Sequence, residues 1–204
     1  MRGVVLLLLA LAACVLIASG NEESENKPWF CHGLDCPEYT VVTKHETFEE
    51  RSYVATRWMT TNVEGSYMSA VFQGFMRLFN YIDGNNEAGE KIPMTAPVAV
   101  EMHPSGGKTG ISNISISFFV PAKGNPPKAK DPTIYASNRP AGVVYVRSFD
   151  GFAMESDWNE NAQALKDDLQ AAGISFNPLS LIAAGYDPPF RFINRHNEIW
   201  LYGP

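Results

Sequence analysis

The sequence predicts an α+β fold: a distorted eight-stranded antiparallel β-barrel with two helices, made from a β-β-α-β-β unit used twice. Three observations lead to it. Two apolar stripes of helical period recur, each preceded by strand-like stretches and each stopped at a glycine. The stripes match at a fixed offset of 90 residues. The 204 residues, 45% hydrophobic and 19% charged, suffice for one real core and exclude collagen, coiled coil and a largely disordered chain.

Residues 1–20 stand apart from the fold. Arg2 precedes an apolar run from Val4 to Ile17, and Ala18-Ser19-Gly20 leads into polar Asn21-Glu22-Glu23. That order describes a secretory signal peptide, so the protein is expected to be secreted and extracellular. The run is 14 residues long, short of the ~20 a membrane-spanning helix needs. An uncleaved signal anchor is the alternative. A lipoprotein reading through Cys14 is opposed by Val15, Leu16 and Ile17, which continue the apolar run.

Residues 21–37 read as an exposed leader. Once Cys14 is removed, Cys31 and Cys36 form an even pair suited to a disulfide in an oxidising compartment, with two free thiols as the alternative. The domain then spans residues 38–204. Strand-like stretches lie at 39–47 and 53–60, a helix at 66–82 ends at Asp83-Gly84, and strands follow near 94–102 and 111–120. Residues 121–132, rich in Pro and Lys, read as an exposed connector. The second unit has strands at 133–137 and 142–149, a helix at 156–172 ended by Gly173, and strands near 181–185 and 198–202. Asn113-Ile114-Ser115 is a glycosylation sequon, and alternation along its strand assigns Asn113 to a polar face.

In the first helix Met68, Phe72, Phe75, Phe79 and Ile82 form a stripe; in the second, Trp158, Ala162, Leu165, Leu169 and Ala172 do. Each is expected to dock its helix on the sheet. The same offset places Arg57 on Arg147. Curling into a barrel would remove the exposed sheet edges.

The two helices differ beside their stripes. The first carries Tyr67, Val71, Met76, Leu78 and Tyr81, where the second has Asp157, Asn161, Lys166, Asp168 and Ala171. The first helix is therefore apolar over about 220°, whereas one buried face needs little more than ~100°. The excess calls for a cover: an apolar ligand, a partner protein, or the leader folding back through Trp29 and Phe30.

Chemistry is sparse. A net charge of −6 without basic runs argues against nucleic acid and against adsorption to anionic membranes. No nucleophile elbow, P-loop or dinucleotide fingerprint occurs. His32, His45, His103 and His196 show no helical ligand spacing. Asp35, Glu101 and Glu198 are the carboxylates that could do acid–base work if brought together.

Five ordered motifs carry a resemblance. Phe48-Glu49-Glu50-Arg51-Ser52-Tyr53 and Lys91-Ile92-Pro93-Met94-Thr95-Ala96-Pro97-Val98 come first. Val146-Arg147-Ser148-Phe149-Asp150-Gly151-Phe152 and Ala184-Gly185-Tyr186-Asp187-Pro188-Pro189 follow. Asn194-Arg195-His196-Asn197-Glu198-Ile199-Trp200-Leu201 closes the set. Over residues 38–202 the chain resembles the SOUL haem-binding protein family, whose fold is a distorted eight-stranded barrel with two helices and two-fold pseudosymmetry.

The resemblance implies haem or another porphyrin as ligand, in an apolar groove beside the first helix. Family groove positions fall on Phe72, Phe75, Phe79 and Asn80, with Met68 and Met76 adjoining, and a propionate partner falls on Arg191. A histidine proposed as iron ligand in the family falls on Ser52, a poor substitute for imidazole. Two positions basic in some relatives are Phe72 and Asn80. His196 is the remaining candidate iron ligand in that region. The expectation is a secreted, non-enzymatic tetrapyrrole binder without stable membrane insertion, holding metal-free porphyrin nearly as well as haem. A protein-interaction or signalling module using the same patch is the alternative, and a hydrolase or lyase acting through Glu101 or Glu198 is a third reading.

Overall fold

A computed structural model describes residues 27–103 and 112–204. The expected signal peptide (residues 1–20) and the first six residues of the expected leader lie outside the described residues. In chain order the elements are a 3-10 turn (Trp29–Cys31), β1 (Tyr39–Lys44), β2 (Glu49–Tyr53), β3 (Thr56–Gly65) and α1 (Tyr67–Ile82). Then come β4 (Val98–His103), β5 (Ser112–Val120), β6 (Ile134–Arg139), β7 (Gly142–Phe149), α2 (Glu155–Ala171), β8 (Ile182–Gly185) and β9 (Asn197–Tyr202).

The α+β class and the two helices stand as expected; the closed eight-stranded barrel does not. Among the described residues nine strands form one strongly curved antiparallel sheet, in the order β1-β2-β7-β9-β8-β4-β5-β3-β6. β1 and β6 each have a single neighbour, so the sheet stays open. The β1 edge is disrupted by an irregular register between Val41 and Thr43 and ends on Lys44, two features that discourage edge pairing.

The duplication is written into the strand order. With β1 set aside, β2-β3-α1-β4-β5 and β6-β7-α2-β8-β9 repeat the same elements. The first strand of each unit pairs with the second strand of the other: β2 with β7, and β6 with β3. The third strands, β4 and β8, pair with each other, so the pseudo-two-fold axis passes between them.

The strand that sequence reasoning missed is β2. Its residues, Glu49-Glu50-Arg51-Ser52-Tyr53, give no apolar alternation, because the inward position at Arg51 is filled by a buried ion-pair partner.

The docking face of α1 also differs from the expected stripe. Tyr67, Ala70, Gly74, Leu78, Tyr81 and Ile82 are buried, whereas Met68, Phe72 and Phe79 are exposed. On α2 the expected residues Ala162, Leu165 and Leu169 are the buried ones. Aligning the two buried faces puts Gly74 on Leu165 and Leu78 on Leu169, an offset of 91 rather than 90. One residue turns a helix by about 100°, enough to exchange docking face for exposed face.

Both helices lie on one face of the sheet. α1 covers β3 and β5, and α2 covers β7 and β9. The opposite face carries a second apolar cluster, including Tyr53, Trp58, Val144, Val146, Ile182 and Trp200. The leader is not exposed throughout. Phe30 and Cys31 are buried in that second cluster, and Ala96 N donates to Asp35 O at 3.0 Å. The connector also docks: Tyr81 donates its hydroxyl to Pro127 O at 2.7 Å, and Ala129 is buried. A cleft of about 210 Å³ opens there between the end of α1 and Pro126-Pro127. Among the described residues no helix is long and apolar enough to cross a membrane.

Candidate functional site

The exposed side of α1 is the principal anomaly of the surface. Gly74 lets the helix lie close against β5, since a Cβ there would run into the Ile116 side chain. With that contact fixed, Arg77 on one flank donates to Asn62 O of β3 at 3.2 Å. On the other flank Phe75 meets Phe118 of β5 edge-on, ring centroids 5.5 Å apart. The stripe therefore turns away from β3, towards β4.

Along that flank Met68, Phe72 and Phe79 are 60%, 66% and 40% exposed. Phe75 is half-buried and stacks on Phe79, centroids 5.9 Å apart and planes 15° from parallel. Met76 is half-buried and Asn80 exposed. β4 and β8 run between the strands that the two helices cover. On their helix side stand Val98, Val100, Ala183 and Gly185, with Val98 and Ala183 half-buried. These side chains are small or medium in size, and Val98 and Ala183 pack against the core that α1 covers.

The leader does not cover the stripe. Residues 27–37 bind the opposite face, with Phe30 stacked on His196 at 3.9 Å and edge-on to Tyr186 at 4.8 Å. Cys31 and Cys36 are joined as a disulfide, as expected. Arg191 lies in the loop after β8, half-buried, its Nε 3.2 Å from Asp187 Oδ1. Among the described residues no hydrogen bond or ion pair joins it to α1.

The carboxylates expected to do chemistry are held in ion pairs. Glu198 is fully buried: Arg51 Nη1 donates to its Oε1 at 2.9 Å, and His196 Nε2 lies 2.9 Å from the same oxygen. Tyr186 and Trp200 both donate to Oε2 at 2.7 Å. Burial pushes this carboxyl up, but the His196 hydrogen bond and the Arg51 charge outweigh it and hold the pKa at about 2. Burial also pushes up the Tyr186 hydroxyl, with the Glu198 charge adding to it. A carboxylate with four partners and no access to solvent is a structural anchor. Glu101 pairs with Arg139 at 2.6 Å, and Asp35 with Lys27 at 2.7 Å.

The histidines are dispersed. His32 Nε2 is 2.8 Å from Asp187 Oδ1, His45 stacks on Phe48, and His103 Nε2 is 2.6 Å from Ser115 Oγ. His196 is buried under Phe30 and engaged with Glu198, so the candidate iron ligand faces the interior network rather than the stripe. Ser52 is exposed on β2. Among the described residues no three metal-binding side chains cluster. Asn113 is half-buried. The face assigned to solvent around it is largely filled, with Ser115 donating to Asn62 Oδ1 at 2.8 Å and Ser117 Oγ 2.9 Å from Thr60 Oγ1.

Sequence reasoning missed the Arg51–Glu198 anchor. Its signal was present: a carboxylate inside the apolar strand Ile199-Trp200-Leu201 requires a buried cation, and Arg51 alternates with Tyr53 on a short strand.

The profile of the family described as "SOUL heme-binding protein" matches residues 34–202. Heme-binding protein 2 of Homo sapiens is 36% identical over 158 residues, covering 76% of this chain and 77% of that protein. Heme-binding protein 1 of Xenopus laevis is 31% identical over 175 residues, covering 82% of this chain and 92% of that protein. In fold, the chain is similar to the crystal structure of the EcmrR C-terminal domain, with TM-score 0.59 and 11% identity over 80% of this chain and 96% of that one.

Proposed function

The chain belongs to the SOUL haem-binding protein family, and from that premise we propose that it is a secreted, non-enzymatic binding protein for haem and related tetrapyrroles, held in an apolar groove beside α1. The observation that carries the proposal is the exposed stripe of Met68, Phe72 and Phe79, backed by the stacked Phe75. A macrocycle of aromatic character wants such a face.

Phe72, Phe75, Met76 and Phe79 form the contact surface, with Asn80 beside them. Arg191 exchanges part of its pairing with Asp187 for a carboxylate of the ligand, a charge-assisted contact. The residues suit a porphyrin as an apolar disc. They offer an iron no imidazole ligand, because the four histidines are each engaged elsewhere. Haem, when bound, supplies a redox-active iron; this chain's residues bind and orient the macrocycle. The secreted location rests on the N-terminal apolar run and agrees with the Cys31–Cys36 disulfide. The half-buried Asn113 at the strand end is the proposed glycan acceptor.

The test is a paired optical titration with haem and with metal-free protoporphyrin. Saturation near one equivalent, at similar affinity for both, is the expected result. A strong preference for haem with a sharpened Soret band would overturn the absence of an axial ligand. No saturable binding of either would overturn the function.

A further inference from the structure

The exposed stripe of α1 holds a sulfur that a ligand there would cover. Met68 stands one turn before Phe72, and residues four apart on a helix are neighbours on one face. At 60% it is the most exposed methionine among the described residues. The others are placed differently. Met59 is buried in the core that α1 covers, and Met76 and Met94 are half-buried. Met102 lies on β4, and Met154, nearly as exposed as Met68, caps the other helix.

Oxidation of a thioether needs direct access, because the sulfur must meet the oxidant. Cys31 and Cys36 are already joined, so among the described residues the thioethers are the sulfur left to oxidise. With hydrogen peroxide the sulfur gives a lone pair to one oxygen, and the O–O bond breaks. The proton of the transferred hydroxyl passes to the departing hydroxide, giving water. Sulfur loses two electrons and the peroxide gains them. The product is a sulfoxide, polar where the stripe was apolar. In the free protein its oxygen is hydrated, since Met68 is open to water. Covered by a macrocycle, the oxygen loses that water and finds no hydrogen-bond donor on Phe72, Phe75 or Phe79. Burying an unpaired polar group is unfavourable, so oxidation penalises the bound state and spares the fold.

We propose that Met68 is a peroxide-sensitive modification site, whose conversion to the sulfoxide lowers the affinity of the α1 stripe for its tetrapyrrole. This regulation rests on the assignment of that ligand to the stripe.

The experiment treats the purified protein with hydrogen peroxide, removes the excess with catalase, and titrates metal-free protoporphyrin before and after. The tryptic peptide of residues 58–77 carries Met59, Met68 and Met76, and its fragmentation shows which of them has gained an oxygen. Met68 is expected to react ahead of the other two. Protoporphyrin affinity should fall about fivefold or more, with an unchanged near-ultraviolet circular dichroism spectrum. Methionine sulfoxide reductases, one for each epimer, should restore it. Met68→Leu, whatever its starting affinity, should keep that affinity through the same treatment, because leucine has no sulfur to oxidise. Met68→Gln should bind as weakly as the oxidised wild type. Met68 left unoxidised, full oxidation of Met68 at unchanged affinity, or an equal loss in Met68→Leu overturns this proposal alone. Untreated protein that binds no protoporphyrin overturns the stripe assignment and this site with it.

Discussion

Arg51 on β2 and Glu198 on β9 reach each other across the intervening strand β7 and meet at 2.9 Å, both buried. Around this pair the Tyr39 ring lies 4.2 Å below the guanidinium, and Glu49 takes a second contact at 2.8 Å. His196 joins the network to the leader through its stack on Phe30. The most polar cluster of the interior thus ties three elements far apart in sequence: the leader, the first strand of one repeat and the last strand of the other.

Stability should fall in acid because of this carboxylate. The ordinary Glu value is 4.5 and the folded value about 2, so the unfolded chain holds the proton more tightly. The contribution is complete above about pH 4.5 and is lost as pH falls towards 2, on the order of 3 kcal/mol in all. Glu198→Gln should flatten the dependence of urea stability on pH between 5 and 2.5. A variant keeping the wild-type slope would show that other groups carry the acid sensitivity. Glu198→Ala, which leaves Arg51 with Glu49 alone and takes the buried acceptor from Tyr186 and Trp200, should cost about 3–5 kcal/mol at pH 7.

Gly74 makes an opposite pair of forces measurable. Replacing a mid-helix glycine by alanine ordinarily stabilises by about 1 kcal/mol. Here the added Cβ meets Ile116 of β5, itself fully buried. Overpacking costs about 1–3 kcal/mol, so Gly74→Ala should lower stability by up to 2 kcal/mol in urea unfolding. Restoring it with Ile116→Val in the same chain would identify the clash as the cause.

Much of this was legible before the structure, for a physical reason in each case. The two helices, their glycine stops and the duplicated order follow from periodicity, which depends on local geometry alone. The excess apolar arc of α1 was legible too, although its two halves were exchanged: Phe72 and Phe79 were assigned to the core and Tyr81 and Leu78 to the flank. Period and composition cannot distinguish two apolar faces on one helix; only Gly74 marked the side of close approach. β2 was hidden because Arg51 is buried by pairing rather than by being apolar. The exposed tip at Phe190 and Phe192 is hidden in the sequence because exposure depends on where the Arg195 guanidinium pins the backbone, at the carbonyls of Pro188 and Arg191.

On α1, exposure decides which substitutions are clean. Phe72 stands mostly in water, while Phe79 is 40% exposed and stacked on Phe75, so Phe72→Ser/Phe79→Ser should still fold and cost less stability than truncation of a core residue. The same variant should weaken protoporphyrin binding at least tenfold in an optical titration. Phe75→Ser should also weaken binding, but at a stability cost of about 2–4 kcal/mol, since Phe75 packs on Phe118. Unchanged affinity in the folded double variant would remove the groove assignment.

The role of Arg191 can be isolated by altering the ligand instead of the fold. Its guanidinium is about one third exposed and paired with the buried Asp187 carboxylate, which keeps it near the end of β8. A ligand carboxylate must compete with Asp187 for it, so the net gain is modest, about 0.5–1.5 kcal/mol or up to tenfold in affinity. Arg191→Gln should therefore weaken binding of protoporphyrin but leave binding of its dimethyl ester unchanged, because the ester has no charge to lose. Raising salt should weaken the acid form in the wild type and have little effect in the variant. Equal losses for acid and ester would mean that Arg191 positions the loop, through Asp187 and the Pro188 turn, and does not touch the ligand.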